Sequence, residues 1–485
     1  MKLKTLIEQL EPVALAADPE TEISGISYDS RKTQEGDLFV AIRGFETDGH
    51  RFIPAAVEKK AAVILCEEVP TQNVPYVLVK DSRLALARCS CTFYGNPASR
   101  MRMIGITGTS GKTSVSVLLK HVLEETINAK VGLIGTTGIE VGHETLPSDH
   151  TTPESLELHR LFRRMADEGC THVVMEVSSH ALALSRVAEI EFDTAVYLNL
   201  SQDHLDFHGT MEQYAGAKKI IFTQCREAWV NADDDWTPFM VEGINCPFRR
   251  FGTKENSELR GESIRLEPDH VCFDTVYGDK RVETVLPIPG SFSVSNALAV
   301  IAAALSEGIE PESSAGALGT AQGVKGRLES VPTDGNYHIL IDYSHKPDAL
   351  EKVLCSLRTA TPGRLICLFG CGGDRDRGKR PLMGKIAAKY SDLVIVTSDN
   401  PRTENPESIV DEIIPGLQES DTPWIRICDR KEAIHRAIDL ARDGDVILLA
   451  GKGHETYQII GHTKHHMDER EIVADYLKER ESVGP

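Results

Sequence analysis

The chain has 485 residues and a formal net charge of -20 at pH 7, with 41% apolar and 26% charged residues. This is the composition of an ordinary soluble protein, and the length predicts two to four domains because single cores rarely grow beyond about 250–300 residues. The acidic balance argues against a nucleic-acid-binding surface, and no apolar run approaches the roughly 20 residues of a membrane span. The N-terminal segment lacks the continuous apolar stretch of a signal peptide, so we expect a cytoplasmic protein.

The eleven cysteines are scattered along the chain without Cys-x-x-Cys pairs, and Cys89 and Cys91 are the nearest neighbours. This spacing is typical of reduced thiols and does not match a disulfide framework or a structural zinc site.

The predicted elements divide the chain into three segments. Residues 1–98 carry short β-rich runs such as DLFVAIRG and AAVILCEE, and end in the turn-rich stretch YGNPASR. Residues 99–329 open with the strand-like run RMIGIT. Residues 330–485 alternate four apolar runs rich in branched residues with helix-length stretches, as parallel βαβ units do. The sequence therefore predicts an α/β protein of three domains with these boundaries.

A glycine-rich loop, GTSGKTS, joins the predicted strand RMIGIT to a helix-like run. The common G-x-x-x-x-G-K-[ST] spacing would need glycine at position 106, where Ile106 stands, so the loop is a shorter variant. Glycines let backbone N–H groups approach an anion, the lysine contacts the β and γ phosphates, and the hydroxyl after it binds Mg²⁺. The predicted phosphate-binding residues are Gly108, Thr109, Ser110, Gly111, Lys112, Thr113 and Ser114.

Polar residues at two further strand ends are candidates for the metal. Glu176 ends the run HVVME, and His204 follows the run TAVYLNL. Mg²⁺ needs carboxylate and other oxygen ligands, sometimes with an imidazole.

In the third segment, four polar motifs come directly after the four apolar runs. They are SHKPD (344–348), CGGDRDRGKR (371–380), DNPR (399–402) and GKGHE (451–455). Ligands bind at the carboxyl ends of the strands in open α/β sheets, so these motifs predict one shared crevice.

Together, the short phosphate loop and the motifs after it resemble the Mur ligases, the ATP-dependent amide-forming enzymes of peptidoglycan synthesis, over essentially the whole chain. In that family the loop has the sequence pattern G-T-[NS]-G-K-[TS]-[ST]. The resemblance implies a UDP-binding α/β N-terminal domain, a central P-loop-type ATP-binding domain and a Rossmann-like C-terminal domain. It also implies a carboxylate that is phosphorylated by ATP and an incoming amine that displaces phosphate, with two Mg²⁺ ions.

The same resemblance implies roles for residues that the sequence alone leaves undecided. It makes Lys112, His204 and Lys218 catalytic, and it assigns the Mg²⁺ ions to Thr113, Glu176, His204 and Lys218, the last as carbamylated N6-carboxylysine. Taken alone, Lys218 has the pattern of a solvated helix lysine. Asn296 would contact adenine, Arg327 a phosphate and Asp342 the ribose.

The family pattern also implies a site for a UDP-linked muramoyl dipeptide. The motif YDSRKTQEGDLFVAIRG matches the UDP site, and HTTP and SSHALALSR match the dipeptide contacts. Some relatives have glutamine where this chain has Leu184. The implied residues are Ser30, Arg43, Gly44, Phe45, Glu46, His150, Thr151, Thr152, Ser178, Leu184 and Arg186.

The motif DNPR is typical of relatives that add meso-2,6-diaminopimelate rather than L-lysine. Diaminopimelate has a second carboxylate, for which a bidentate guanidinium is the natural receptor. Arg402 and Arg375 would contact carboxylates, while Asp399, Asn400 and Glu455 would contact ammonium or amide groups. Pro401 belongs to the motif, and Gly451 would offer a backbone contact.

Three alternatives remain open at this point. The first is the lysine-adding form of the same ligase. The second is a folylpolyglutamate synthetase, which shares the loop chemistry but lacks a separate first domain for a UDP-sugar. The third is a nucleotide switch, for which the chain carries no N-K-x-D guanine signature. The family is mostly monomeric, so we expect a monomer whose partners are small molecules.

Overall fold

The computed structural model of the protein describes residues 1–44, 47–142, 144–148 and 150–483. They form two compact units. The first contains Met1–Ser257 with Ala302–Ile309, and the second contains Glu258–Ile301 with the chain from Glu310 onward.

The first unit begins with a five-stranded sheet in the order β1-β5-β4-β3-β2. Strand β1 is antiparallel to its neighbour, and the other strands are parallel. Apolar residues of these strands and helices form the core under this sheet. The elements are α1 (Leu3–Ile7), β1 (Ala14–Ala16), β2 (Gly25–Ser27), β3 (Asp37–Val40), α2 (Ile53–Glu58), β4 (Val63–Cys66), β5 (Tyr76–Leu78) and α3 (Ser82–Tyr94).

The rest of the first unit is built on strands in the order β13-β12-β11-β6-β10-β7-β8-β9. The strands from β13 to β7 pair in parallel, and β8 and β9 add two antiparallel partners. The central strands are buried almost throughout, as expected for a parallel sheet covered on both faces. The elements are β6 (Arg102–Thr107), α4 (Lys112–Ile127), β7 (Val131–Gly135), β8 (Gly138–Val141), β9 (Glu144–Leu146), α5 (Ser155–Asp167), β10 (His172–Glu176), α6 (Ser179–Ala183), β11 (Phe192–Tyr197), α7 (Leu205–His208), α8 (Met211–Lys219), β12 (Cys225–Asn231), α9 (Thr237–Val241) and β13 (Phe248–Gly252).

In the second unit, three antiparallel strands precede a six-stranded sheet of the order β17-β18-β22-β19-β20-β21. The elements are β14 (Leu259–Leu266), β15 (Val271–Tyr277), β16 (Lys280–Leu286), α10 (Ser291–Ser306), α11 (Pro311–Gly319), β17 (Glu329–Val331), β18 (His338–Asp342), α12 (Pro347–Ala360), β19 (Leu365–Phe369), α13 (Lys379–Tyr390), β20 (Leu393–Val396), α14 (Pro406–Leu417), β21 (Trp424–Arg426), α15 (Arg430–Leu440), β22 (Val446–Ala450), β23 (Tyr457–Ile460), β24 (Thr463–His466) and α16 (Glu469–Val483).

The four apolar runs of the third segment are four neighbouring strands of this sheet. Strands β18, β22, β19 and β20 pair in parallel, and each is followed by one of the polar motifs. The prediction that the motifs follow parallel strands is therefore confirmed.

Other expectations from the sequence have mixed outcomes. The α/β architecture is confirmed, and all eleven cysteines are free thiols. No helix among the described residues is both long and apolar enough to cross a membrane. The division at residues 98 and 329 stays a prediction.

Helices α13 and α14 approach so closely that only glycine fits at their contact. A Cβ at Gly416 would lie 1.9 Å from the Pro381 carbonyl oxygen, and one at Gly384 would lie 2.5 Å from that of Ile413. Since both obstacles are backbone atoms, neither can rotate away.

We expect Gly416→Ala to lower the free energy of unfolding by about 1–3 kcal/mol, because the added methyl forces two helices apart. Chemical denaturation monitored by circular dichroism measures this. The control is Gly316→Ala on α11, where a Cβ meets nothing within 4 Å. That change should be neutral or stabilising by about 0.5–1 kcal/mol, and equal effects of the two variants would contradict the packing explanation.

Candidate active site

The phosphate loop predicted from the sequence lies between β6 and α4, with the helix beginning at Lys112. Its glycines are required by the backbone. Gly111 has φ +87°, and a Cβ at Gly108 would lie 2.9 Å from Cβ of Leu198. The Lys112 Nζ donates to the carbonyls of Gly108 (2.7 Å) and Thr109 (3.1 Å), so its ammonium lies over the loop. Strand, loop and helix N-terminus are thus arranged as anion binding at a helix N-terminus requires, and the assignment of phosphate-binding residues stays a prediction.

Asn199, which the sequence reading did not single out, holds this loop from the end of β11. Its Oδ1 accepts from the Ser110 N–H at 3.0 Å, and its Nδ2 donates to the Ser110 carbonyl at 3.1 Å. The Thr109 N–H donates to the Asn199 carbonyl at 2.9 Å. A polar residue at the end of a strand next to β6 was the signal that could have identified it.

The Glu176 carboxylate, buried at the end of β10, is the acceptor for two neighbouring segments. Oε2 accepts from the hydroxyls of Thr113 and Thr136, each at 3.1 Å, and Oε1 accepts from the Thr136 N–H at 2.9 Å. A Cβ at Gly135 would lie 2.3 Å from Oε1, so the carboxylate needs glycine beside it. A hydroxyl and a carboxylate that meet beside a phosphate loop are the oxygen donors Mg²⁺ prefers, and this pair fits the ion.

His204 contacts a different set of residues from those around Glu176. Its ring packs against those of His180 (4.8 Å between centroids) and Tyr214 (6.3 Å), and its Nε2 lies 3.5 Å from Asp203 Oδ2. Burial and the neighbouring His204 lower the pKa of His180 to about 4, so that imidazole is neutral at pH 7. Among the described residues there is no ready-made cluster of three or more His, Cys, Asp or Glu ligands.

Lys218 is not the solvated helix lysine that its sequence pattern alone suggests. It is only 1% exposed, and its Nζ donates to the Gly108 carbonyl at 2.9 Å. The same Nζ lies 4.7 Å from the centre of the Tyr214 ring. Burial holds the pKa of this ammonium well below its usual range, and the nearby positive charge of Lys112 lowers it further. The amphipathic pattern of α8 could not reveal this, since the burial comes from the phosphate loop.

Three of the predicted dipeptide contacts adjoin Glu176. The Thr152 hydroxyl donates to the Glu176 carbonyl at 2.8 Å and accepts from the Ser178 N–H at 3.1 Å. Arg186 donates to the Thr152 carbonyl at 3.0 Å. Its Nε lies 2.8 Å from a carboxylate oxygen of Glu154, a residue the sequence reading missed.

The remaining residues of the predicted UDP-substrate set are more dispersed. The Thr151 hydroxyl lies 3.0 Å from that of Thr136, whereas His150 is exposed and Leu184 is half-buried at the end of α6. Ser30 is buried, Arg43 pairs with Glu68 at 2.5 Å, and the Gly44 N–H donates to the Thr47 carbonyl. Phe45 and Glu46 lie outside the described residues.

In the second unit, Arg327 lies over the Tyr343 ring, and Asp342 precedes that tyrosine at the end of β18. The Arg327 guanidinium stacks 5.1 Å from the centre of that ring. The buried Asp342 carboxylate accepts from the N–H groups of Leu328 and Ser344, each at 2.9 Å, and burial raises its pKa. Asn296, on α10, is also buried.

The side chains of the two predicted carboxylate receptors, Arg402 and Arg375, both approach Gly372. A Cβ at Gly372 would meet Arg402 Nη1 at 2.9 Å and Arg375 Cγ at 3.9 Å. Arg402 has φ +52°, and its Nη1 donates to the Gly373 carbonyl at 2.8 Å. A side-chain-bearing residue in the left-handed region is strained, and such strain is often found at functional positions.

Asp399, Asn400 and Glu455 form an acidic and amide cluster beside Arg402. Oδ2 of Asp399 is buried without a hydrogen-bond partner among the described residues. A Cβ at Gly451 would lie 2.8 Å from that oxygen. Pro401 is buried within the same turn. An unpaired buried carboxylate oxygen is costly unless a ligand supplies a donor, so the cluster is suited to a cation.

Arg380 is the last residue of the motif CGGDRDRGKR, but no role for it was predicted from the sequence. This side chain is fully buried and bonds Glu404 at 2.8 Å and Glu412 at 2.7 Å. A third contact, with the Gly372 carbonyl at 3.4 Å, connects helix α13 to the glycine that Arg402 and Arg375 approach.

Three family models match the chain in order. They are the Mur ligase family catalytic domain over residues 22–94, the Mur ligase middle domain over 106–304, and the Mur ligase glutamate ligase domain over 326–453. The chain belongs to the Mur ligase family, whose members are ATP-dependent ligases that use Mg²⁺.

Comparison with individual relatives gives a more specific similarity within this family. A protein of Caldanaerobacter subterraneus subsp. tengcongensis is 46% identical over 96% of this chain and 97% of its own length. A protein of Clostridium acetobutylicum is 44% identical over 99% of this chain and 100% of its own length. A solved structure that is 30% identical in sequence aligns with 99% of this chain and with 100% of its own chain, with a TM-score of 0.76. All three are named UDP-N-acetylmuramoyl-L-alanyl-D-glutamate--2,6-diaminopimelate ligase.

We expect Asn199→Ala to raise the KM for ATP by roughly tenfold, because the loop loses two hydrogen bonds that hold its backbone in a binding conformation. Steady-state kinetics with ATP as the varied substrate measures this. The control is Asn405→Ala, which removes another backbone-bonding asparagine, the cap of α14. It should cost stability and leave the KM for ATP unchanged, and an equal KM rise in both variants would contradict the assignment.

Proposed function

We propose that the protein joins meso-2,6-diaminopimelate to UDP-N-acetylmuramoyl-L-alanyl-D-glutamate with hydrolysis of ATP to ADP and phosphate, in the synthesis of peptidoglycan precursors. The observation that carries the proposal is the Arg402 guanidinium, which lies beside Gly372 together with the side chain of Arg375. Nη1 of Arg402 also lies 3.5 Å from the Asn400 carbonyl oxygen, and the Asn400 amide donates to the Glu455 carboxylate at 2.9 Å. This arrangement offers cationic receptors for carboxylates and anionic receptors for an ammonium. An amino acid with a second charged centre would use both.

The chemistry follows from the need to activate a carboxylate. The carboxylate of the UDP substrate attacks the γ-phosphorus of ATP and ADP leaves, which gives an acyl phosphate. The neutral amine of the second substrate then attacks the acyl carbon, the amide bond forms, and inorganic phosphate departs. The phosphate-loop N–H groups, the N-terminus of α4 and Lys112 stabilise the negative charge on the transferred group.

Bound Mg²⁺ neutralises phosphate charge, and Thr113 and Glu176 are the residues that would hold it. A second ion would be held by His204 and a carbamylated Lys218. The burial of Lys218 beside Lys112 supports the modification, because carbamylation replaces a poorly solvated positive charge with a negative one. Asn296, Arg327 and Asp342 would complete the nucleotide site.

The UDP-linked substrate would be held by the residues that adjoin Glu176. Arg186 bears a cation that Glu154 and the Thr152 carbonyl orient, and it suits the dipeptide carboxylate. Ser178 and Thr151 would add hydroxyl contacts, and Ser30 and the Arg43–Gly44 turn would take the UDP moiety. We further propose that the protein is a cytoplasmic monomer whose partners are these small-molecule substrates.

Phosphate release by the purified protein with ATP, Mg²⁺ and the UDP-linked dipeptide tests the proposal, with meso-diaminopimelate compared to L-lysine. We expect turnover with diaminopimelate only, because lysine lacks the second carboxylate that Arg402 would bind. Turnover with lysine would overturn the specificity. No turnover with either amine would overturn the function and direct attention to folate-type substrates.

A matched pair of variants tests the receptor within the same assay. Arg402→Met should raise the KM for diaminopimelate by roughly tenfold or more, since a charged hydrogen bond to a carboxylate is lost. Arg377→Met is the control, because Arg377 is exposed in the neighbouring loop and pairs with Glu412 at 2.9 Å. It should leave this KM within about twofold of the wild type.

The carbamate on Lys218 has a direct spectroscopic test. After equilibration with ¹³C-labelled bicarbonate, the wild-type protein should show a carbamate carbon resonance in its NMR spectrum, because burial favours the neutral amine of Lys218, which is the form that reacts with CO₂. Lys218→Met should lack that resonance, whereas Lys219→Met, one residue further along the helix, should keep it. A signal that survives in Lys218→Met would exclude this site.

A further inference from the structure

Lys452 lies in the loop after β22, and its side chain is completely buried. Its Nζ donates to Oδ1 of Asn400 at 2.9 Å, to Oε2 of Glu455 at 2.7 Å and to the Tyr457 carbonyl. An ammonium has three N–H donors, and all three are used here. Lys452 is therefore placed to organise its neighbours and not to bind a ligand itself.

The first consequence concerns the Asn400 amide. Its Oδ1 accepts from both Lys452 and the Ile459 N–H, the latter at 2.8 Å. Rotating the amide by half a turn would place its NH₂ group against two donors. The orientation is thus determined, and the Nδ2 is directed at Oε2 of Glu455, to which it donates at 2.9 Å.

The second consequence concerns the Glu455 carboxylate. Its Oε2 receives two hydrogen bonds, from Lys452 and Asn400, which hold the group in one rotamer. Within the described part of the chain, Oε1 accepts no hydrogen bond, and neither does Oδ2 of Asp399. Two carboxylate oxygens therefore remain for a ligand.

Charge counting points to the kind of ligand. Asp399 and Glu455 supply two negative charges and Lys452 one positive charge, which leaves one negative charge. A diaminopimelate whose attacking amine is neutral carries one remaining ammonium, and that ammonium balances the cluster. Without Lys452, the cluster would carry two negative charges in a buried setting and would lose its defined geometry.

We propose that Lys452 is the positioning residue that orients Asn400 and Glu455 to receive the non-reacting ammonium of the amino-acid substrate. The inference rests on the proposed function, and it assigns to this site the recognition of a second amine. Lys452 acts through its two neighbours and has no contact with the substrate.

The test compares Lys452→Met with the wild type for each substrate in turn. The KM for diaminopimelate should rise roughly tenfold or more, because a buried hydrogen-bonded charge pair is broken, while the KM values for ATP and the UDP-linked dipeptide stay within about twofold. The control is Arg364→Met. Arg364 forms a partly buried ion pair with Asp445 at 2.6 Å, but at the opposite, amino ends of β19 and β22. It should lower the melting temperature and leave all three KM values unchanged.

A double-mutant cycle separates positioning from direct contact. If Lys452 acts through Glu455, adding Lys452→Met to Glu455→Gln should raise the KM for diaminopimelate far less than it does in the wild type. A multiplicative rise would show an independent role and overturn the proposal. Should Lys452→Met not fold, Lys452→Gln replaces it, with a smaller rise expected because its amide can reach only part of the ammonium's partners.

The outcomes distinguish the two levels of inference. A wild-type protein that does not turn over diaminopimelate would overturn the proposed function itself. An active wild type with an unchanged KM in Lys452→Met would overturn only the role of Lys452. Equal rises in all three KM values, matched by Arg364→Met, would show a general structural effect and would also overturn that role.

Discussion

The buried Glu176 carboxylate is the interaction on which the candidate phosphate-binding site of the first unit depends. It accepts three hydrogen bonds, from Thr113 at the start of α4 and from Thr136 just after β7. These bonds join the ends of three neighbouring parallel strands, β6, β10 and β7, at one edge of the sheet. A carboxylate so deeply placed is tolerable only when its lone pairs are filled, and the same oxygens are suited to a divalent cation. One carboxylate therefore both accepts the hydrogen bonds of its neighbours and offers oxygens suited to the metal.

In the second unit, buried cationic side chains likewise have their hydrogen bonds satisfied by neighbouring groups. Lys452 has three acceptors and no exposed surface, and Arg430 forms a fully buried pair with Glu469 at 2.8 Å. Arg430 also donates to the Ala450 carbonyl at the end of β22. Buried ion pairs contribute little net stability compared with apolar packing, so their value lies in defining geometry. Here they hold the loops that carry DNPR and GKGHE.

Much of the site was predictable because its residues follow strands with recognisable apolar runs. The phosphate loop, Glu176 and the four motifs of the second unit lie where the alternation of strands and helices indicated. Lys218 was assigned by family resemblance alone, since a lysine on a short helix carries no sign of burial. Asn199, Glu154, Arg380 and Lys452 were missed because each acts by orienting another residue, and partners distant in sequence decide which side chains do so.

The sequence by itself determined the class of fold, the phosphate loop and the chemistry of the amino-acid motifs, because local patterns and strand-end motifs depend on neighbours along the chain. Only the tertiary structure decided which charges are buried and which atoms remain for ligands. It placed Lys218 beneath the phosphate loop, left Oδ2 of Asp399 without a partner, and used every donor of Lys452. The physical reason is that burial and hydrogen-bond satisfaction depend on segments that meet only when the chain folds.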